Sequence, residues 1–378
     1  MCIRDRNEHK AAAPDHRIDP TGERRGSDKK GEHATTMPHM NRWIVAAPLS
    51  VLCGLAFTYL HVPAAWILAG IVGAGSVAIV TERDLRINEH LFTLARGVIG
   101  VVAALPLVGI PPGDLLPFLV PGLIAAVLVI AVAFFGGLVL ANHGVSRKTG
   151  VLSLLPGGAS LMPALARDLG ADMRYVSLSQ YLRLLTVSIT LPVVVSFLDA
   201  PAAGEVMHLK PYWWMWLLVP GLIGVGVPLG KLVRLPNPSI FGPMLVTVLV
   251  GSFADFTIVP PEPLSITAFL ALGWMCGGGL SVPALKAFSK LLPATMAYIV
   301  GLMVFCAGIG WVVAKWLGLT LYEGYLATTP GALETALALS AEGGAGPAVV
   351  ALQLIRLICV LIFAGFVPRI LKRIERDD

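Results

Sequence analysis

The chain has 378 residues, of which 56% are hydrophobic and only 13% are charged, and its mean hydropathy is +0.78. Ordinary soluble domains are roughly a quarter charged, so this composition excludes a soluble enzyme and indicates a chain whose solvent is the membrane. The net charge of +5 does not indicate a nucleic-acid partner, because nine of the 28 Lys and Arg residues lie in the first 42 positions.

The first 40 residues are polar, rich in Lys, Arg, His and Asp, and have no apolar periodicity. Such a segment cannot bury enough apolar surface to fold, so we expect residues 1–40 to be a disordered cytoplasmic tail. Its opening letters, MCIRDR, resemble a stretch often translated from sequencing adapters, which is consistent with a true start at Met37 or Met40. We therefore assign no function to the tail.

Apolar segments follow the tail along most of the chain, from Trp43 to Val367. A helix needs about 20 residues, at 1.5 Å rise each, to cross a bilayer. We expect two groups of five such segments. The first group falls near 43–60, 64–80, 94–110, 118–141 and 174–198, and the second near 212–230, 238–253, 266–283, 293–314 and 346–370.

The two groups are copies of one unit. The segment that begins at Leu60 aligns with the segment that begins at Val233, and a Gln-x-x-Arg motif at Gln180 returns at Gln353. Both pairs are separated by 173 positions. Two independent matches at one offset indicate an internal duplication. The sequence therefore predicts two membrane repeats, residues 41–200 and 212–371.

A Pro-Gly element precedes the last apolar segment of each repeat, near 150–169 and 324–342. If these elements enter the membrane and return, each repeat has five spans and the two repeats point in opposite directions. If they cross, each repeat has six spans and the repeats are parallel. Short cytoplasmic loops carry an excess of Lys and Arg, and the five-span arrangement leaves only Lys210 and Lys315 outside. We therefore predict an all-α polytopic membrane protein with ten transmembrane helices in two inverted repeats, each with a Pro-Gly broken or re-entrant helix, and with both termini in the cytoplasm.

Interrupted segments at matching positions of inverted repeats are typical of a transporter's binding site. Broken backbone is tolerated at membrane depth only where it is buried in protein or lines a watery cavity. The helix after each break would point its N-terminal amides toward the midplane, which favours an anionic ligand. The alternative is a kink that only lets helices pack. The candidate residues of the two elements are Pro156, Gly157, Gly158 and Ser160, and Pro330 and Gly331.

The Gln-x-x-Arg motifs provide the second group of candidates. Arg183 and Arg356 each lie some nine or ten residues, or roughly 15 Å, into an apolar segment, where an arginine should be buried and partnered. The spacing puts Gln180 beside Arg183, and Gln353 beside Arg356, on one helical face. A guanidinium binds carboxylate or phosphate with two parallel hydrogen bonds, so the pair could bind an anion. Equally, each arginine could cap free carbonyls of the neighbouring broken helix.

Glu334 is the acidic candidate because it lies in a Pro-Gly element, where it could neutralise an arginine or carry a coupling proton. A structural ion pair is the favoured role. Its counterpart in the first repeat is Ser160, so carboxylate chemistry would be asymmetric. Three glycine steps, which begin at Gly70, Gly97 and Gly221, predict close helix packing.

These residues resemble a known family, the AbrB-type duplicated inner-membrane proteins, which are often labelled ammonia monooxygenases. The resemblance covers about 43–371 and depends on a PGG-x-S-x-M, LGAD-x-x-x-V and Q-x-x-R signature. The second repeat is degenerate, with GGAG in place of LGAD, and Leu161 stands where the family tends to carry Glu. In the first repeat the matching residues are Pro156, Gly157, Gly158, Ser160, Met162, Gly170, Ala171, Asp172, Val176, Gln180 and Arg183.

The resemblance implies a bacterial inner-membrane protein with an influence on gene expression. A monooxygenase needs a cluster of copper or iron ligands, whereas the histidines outside the tail are only His61, His90, His143 and His208, mostly at the ends of apolar segments. We therefore expect no metal, no cofactor and no enzymatic activity. A transcription factor needs a basic soluble module, and no loop is long enough to form one, so we expect no direct nucleic-acid contact.

The sequence favours a secondary transporter of a small anionic solute, with an indirect effect on gene expression. The alternative is a membrane-embedded sensor that binds the same solute without moving it. The lipid bilayer and the solute are the expected partners, and a homodimer is left open.

Overall fold

The computed structural model describes residues 39–374 except 157, 199–210, 255, 280–281 and 332. The predicted tail therefore lies almost entirely outside the described residues, as does Gly157. Within the described residues every regular element is helical. The first repeat contains α1 (His39–Tyr59), α2 (Ala65–Thr81), α3 (Glu89–Ala104), α4 (Leu119–Ala141), α5 (Arg147–Leu154), α6 (Gly158–Asp168) and α7 (Met173–Val195), with 3₁₀ turns at Leu105–Leu107 and Pro112–Phe118.

The predicted second repeat has the same order of long and short helices, with one additional short helix, Val282–Ala287, before the long helix Leu292–Leu317. Each of the ten predicted apolar segments coincides with a helix. The helices are α8 (Met215–Leu232), α9 (Pro238–Phe253), α10 (Glu262–Gly278), α11 (Val282–Ala287), α12 (Leu292–Leu317), α13 (Leu321–Thr328), α14 (Leu333–Glu342) and α15 (Pro347–Ile374).

Seven of the described helices are long and apolar enough to cross a bilayer, namely α1, α3 with its 3₁₀ extension, α4, α7, α8, α12 and α15. The helices α2 and α9 are shorter but apolar, and α10 has 17 residues. By length and composition the protein is therefore an all-helical membrane protein. That all ten of these helices cross the membrane stays a prediction.

Local sequence fixes the ends of several helices. The side chains of Asn88, Ser146 and Asp172 accept hydrogen bonds from the first backbone N–H groups of α3, α5 and α7. At the start of α13, Thr320 and Glu323 form a capping box. These side chains satisfy amides that have no partner within the helix, so each helix begins at a defined residue.

The loops that join α1 to α2 and α8 to α9 have the same unusual backbone. His61 and Ala64 have φ angles of 55° and 52°, and Arg234 and Asn237, 173 positions later, have φ angles of 57° and 52°. Residues other than glycine rarely adopt this left-handed conformation. The shared pair of exceptions supports the duplication independently of residue identity.

Close glycine contacts connect the two repeats. A Cβ atom at Gly273 of α10 would lie 2.8 Å from Cα of Gly70 in α2, and a Cβ atom at Gly100 of α3 would lie 3.1 Å from the carbonyl carbon of Ile240 in α9. Gly100 and Gly273 are themselves 173 positions apart. The second helix of each repeat therefore packs on the third helix of the other repeat.

The packing predicted for the glycine steps is confirmed at Gly70, Gly97 and Gly100. It is also confirmed at Gly226, the last glycine of the third step, where an added Cβ atom would lie 2.8 Å from the carbonyl carbon of Gly242 in α9. It is wrong for Gly221 and Gly224, which lie on an exposed face of α8 and where an added Cβ atom would have no described neighbour within 4 Å. Sequence spacing alone does not tell which face of an apolar helix meets protein and which meets lipid.

Candidate functional site

The side chain of Gln180 on α7 caps the end of the short helix α5. Its Nε2 donates to the carbonyl oxygens of Leu152, Ser153 and Leu155 at 2.9, 3.2 and 3.1 Å. The last carbonyls of a helix have no partner within that helix, and Gln180 is completely buried. One amide group thus serves three buried carbonyl oxygens at the end of α5, of which that of Ser153 also accepts from Oγ of Ser179.

Arg183 extends the same cap by one turn of α7. Its Nη1 donates to the carbonyl oxygens of Leu154 and Leu155 at 3.2 and 3.1 Å, and its Nη2 donates to Oε1 of Gln180 at 2.6 Å. Arg183 is 1% exposed, and its Nε is buried with no hydrogen-bond partner among the described residues. Most of the donor capacity of Arg183 is therefore used by protein carbonyls.

The second repeat reproduces this arrangement between α15 and α13. The Nε2 atom of Gln353 donates to the carbonyl oxygen of Leu326, and Nη1 of Arg356 donates to that of Thr329. Arg356 is 7% exposed and makes fewer hydrogen bonds than Arg183 to the described residues. The carbonyl-capping role that the sequence left open is therefore present in both repeats.

The segments between the paired short helices meet at Arg183. Gly331 has a φ of 107°, and a Cβ atom there would lie 2.9 Å from Nε of Arg183. A backbone of this kind suits glycine and brings the main chain of the second repeat against a side chain of the first. Of the other candidates, Pro156 is buried and Pro330 is buried, whereas the side chain of Ser160 is not among those that the structure describes.

Each pair of short helices begins beside the start of the long helix that follows it. The backbone N–H of Asp172 donates to Oγ1 of Thr149 at 3.0 Å, and that of Gly346 donates to Oε1 of Glu323 at 2.9 Å. Thr149 and Glu323 are 174 positions apart, as are Asp172 and Gly346. The two repeats therefore close these elements in the same way with different side chains.

Glu334 forms an ion pair, as the favoured prediction states, with a partner that the sequence did not single out. Its Oε1 lies 3.1 Å from Nη2 of Arg96, on α3 of the first repeat. The Glu334 side chain is 9% exposed and that of Arg96 is 29% exposed. Arg96 is the one charged residue of the predicted segment 94–110, and this isolation was the signal that could have identified it.

Most of these groups line one cavity of about 1250 Å³. Residues of both Pro-Gly elements line it, together with Arg183 and Arg356 from the two final helices. Its outer end reaches the loop that contains Arg86, whose side chain is 83% exposed, so the cavity is open to that surface. The charged residues of the lining are Arg86, Arg96, Arg174, Arg183 and Arg356, and Asp84, Glu89 and Glu334.

With five arginines against three carboxylates, this lining is electropositive. In the part of the chain that the structure describes, no three His, Cys, Asp or Glu side chains are grouped so that they could hold a metal ion. The excess of arginines over carboxylates offers positive charge and hydrogen-bond donors for an anion.

Comparison with known proteins shows the family to which most of the chain belongs. Residues 66–372 match the family described as "Transition state regulatory protein AbrB". The chain is 30% identical over 341 residues, 88% of its own length and 97% of the relative's, to "Putative regulator AbrB" of Escherichia coli (strain K12). It is 26% identical over 275 residues, 66% of its length and 71% of the relative's, to "Uncharacterized protein YhjN" of Bacillus subtilis (strain 168). The chain belongs to the AbrB family.

Proposed function

We propose that the protein is a secondary transporter of a small anionic solute, which moves by alternating access around the two facing Pro-Gly elements. The observation that carries this proposal is the cavity that both elements, both buried arginines and the Arg96–Glu334 pair share. A site built from equivalent parts of two repeats can be exposed to either side when one repeat moves against the other.

The hydrogen bonds of Thr149 and Glu323 support a re-entrant course for the Pro-Gly elements. Because α5 and α7 begin side by side, the pair α5 and α6 ends near where it started. The same holds for α13 and α14, since α15 begins beside the start of α13. Each repeat then has five spans, which is an odd number.

The helix packing supports repeats of opposite direction. Contacts between α2 and α10 advance together along both helices, from Gly70 with Gly273 to Gly75 with Gly277, so the two helices are parallel. The second span of one repeat thus runs with the third span of the other. Because successive spans alternate in direction, the two second spans, α2 and α9, run oppositely, as inverted repeats require.

Charge supports the assignment of sides. Glu82 and Lys286, which follow α2 and α10, form an ion pair, so these two loops lie on one side. Arg83, Arg86 and Lys290 belong to the same loops. By the positive-inside rule this side is the cytoplasm, in a bacterial inner membrane with both termini inside. The cavity then faces inward in this conformation.

The solute is anionic in this proposal because the lining is electropositive and because α6 and α14 begin at the two breaks. The first amides of a helix carry partial positive charge. The proposal contains no catalytic step and no direct contact with nucleic acid, so an effect on gene expression would be indirect.

The second candidate is a sensor that binds the solute without moving it. The description of the Escherichia coli relative as a regulator, and that of the family as regulatory, favours this candidate. The two functions differ in one measurable property. A transporter gives a solute flux down a gradient, whereas a sensor gives saturable binding alone.

The test is uptake into proteoliposomes of labelled small carboxylates, amino acids and inorganic anions. Arg356→Gln should abolish the flux that the unaltered protein supports, because Arg356 lines the cavity and has donors that the described residues do not use. Lys315→Gln is the matched control, since Lys315 is an exposed cation at the end of α12, outside the cavity lining. Binding without flux for every solute would overturn the transporter proposal in favour of the sensor.

A further inference from the structure

Arg96 differs from the two buried arginines in what holds it. Arg183 and Arg356 donate to backbone carbonyls, which cannot move away without exposing a helix end. Arg96 is bound by a side-chain carboxylate, that of Glu334, and its guanidinium lies 4.3 Å from the ring centre of Phe92. Its Nε is buried with no partner among the described residues. Arg86 is also paired with a carboxylate, that of Asp84, but its side chain is 83% exposed at the outer end of the cavity. Among Arg96, Arg183 and Arg356, Arg96 is thus the arginine whose described polar partner a ligand can replace.

We infer that Arg96 is the residue that binds the carboxylate of the solute, and that Glu334 is an internal competitor that occupies Arg96 when the cavity is empty. This inference deepens the proposed function and rests on it for the identity of the cavity as a solute site. A ligand carboxylate presents to a guanidinium the same two oxygens as Glu334. Exchange of one carboxylate for the other leaves no backbone group unsatisfied.

The apolar part of the cavity lining also restricts the rest of the ligand. Phe92, Leu178, Leu333 and Leu357 line the cavity with Arg96. The ring of Phe92 attracts the Arg96 cation to its face. The apolar side chains of the lining favour a ligand with an apolar body. The ligand class is therefore a small monocarboxylate with an apolar substituent.

The displaced carboxylate has a position that suits its charge. Glu334 is in the first turn of α14, where the unpaired amides of the helix start stabilise a negative charge. Glu334 and Arg96 belong to different repeats, so their ion pair joins α14 to α3. Binding of a carboxylate to Arg96 breaks this connection, and a neutral analogue does not.

The test is isothermal titration of the purified full-length protein with sodium acetate, butyrate, hexanoate and benzoate, each beside its uncharged amide. Arg96→Gln should weaken carboxylate binding at least about 30-fold, since it removes the cation that pairs with the ligand carboxylate in a half-buried site. Glu334→Gln should tighten it by roughly tenfold, since the competitor is removed. Lys290→Gln, an exposed cation outside the cavity lining, should change nothing.

The opposite changes in affinity that are expected for Arg96→Gln and Glu334→Gln distinguish ligand binding from a merely structural ion pair. Loss of a structural ion pair would make both variants less stable and would change their affinity in the same direction. If Arg96→Gln does not fold, Arg96→Lys should fold and bind carboxylates weakly. The direction of the affinity change in Glu334→Gln can then still be measured. Weaker binding in Glu334→Gln, or no binding of any carboxylate by any variant, would overturn the inference. If the affinity changes are observed but no solute flux is found, only the transport proposal is overturned. If flux is found and Arg96→Gln leaves it unchanged, only this inference is overturned.

Discussion

Nε of Arg183 and the α-carbon of Gly331 face each other across the boundary between the two repeats, so close that a methyl group at Gly331 would lie 2.9 Å from the nitrogen. The side chain that caps one broken element therefore abuts the backbone of the other. Movement of either element requires the other to adjust, which gives the two halves of the candidate site a direct mechanical contact.

Gly331→Ala should destabilise the protein. The added Cβ meets Arg183, and a φ of 107° costs a residue other than glycine on the order of 1–3 kcal/mol. The melting temperature in detergent measures this loss. Gly301→Ala on α12 is the control, because no described atom lies within 4 Å of its Cβ position, and alanine is the better helix former. Equal melting temperatures for the two variants would contradict the contact.

Gln180→Leu should lower stability by about 1–3 kcal/mol, because it leaves the carbonyls at the end of α5 buried without this donor. Gln353→Leu should act in the same direction at the end of α13. Thermal unfolding in detergent gives the comparison, with Ser196→Ala as control, since that hydroxyl is exposed and its described hydrogen bond is a local one to Val193. Wild-type stability in both glutamine variants would argue against the capping role.

Gly273→Ala and Gly100→Ala should each destabilise the protein by about 1–3 kcal/mol through overpacking between repeats. Both positions lie where two helix backbones approach closely. Gly221→Ala, on a face of α8 with no described neighbour, should be neutral or slightly stabilising. If the three variants unfold at one temperature, the helix contacts between the repeats are not as described.

The inverted arrangement predicts opposite accessibility for two exposed lysines. In a cysteine-free background, Lys315→Cys at the end of α12 should react with an impermeant maleimide in intact cells. Lys290→Cys, just before α12, should react only after permeabilisation. The same background without either cysteine is the blank. Reversed labelling would refute the assignment of sides.

Much of the fold was accessible from sequence because apolar segments and duplication are local or periodic signals. The offset between Gln180 and Gln353 identified equivalent helices, and the depth of Arg183 and Arg356 in apolar segments indicated that both are buried. Carbonyl capping by the two arginines was one of two alternatives that the sequence left open, since a broken helix leaves free carbonyls that a nearby buried donor can satisfy.

The partner of Glu334 was not accessible in this way. Arg96 lies on α3 of the first repeat and Glu334 on α14 of the second, so no spacing along the chain connects them. The pairing depends on how the repeats interlock, which a single sequence does not encode as a pattern. The symmetry of the duplication also gives no help, because the counterpart of Glu334 is Ser160.

The interlocking of the repeats has a consequence for biosynthesis. Ala65 and Glu262, the first residues of α2 and α10, are 197 positions apart. At roughly 5–20 residues per second, a ribosome needs roughly 10–40 s to make that stretch. During this interval the glycine-lined face of α2 has lipid or the insertion machinery as its neighbour instead of α10. The residues on this face must therefore suit two environments in succession, and glycine, without a side chain, suits both.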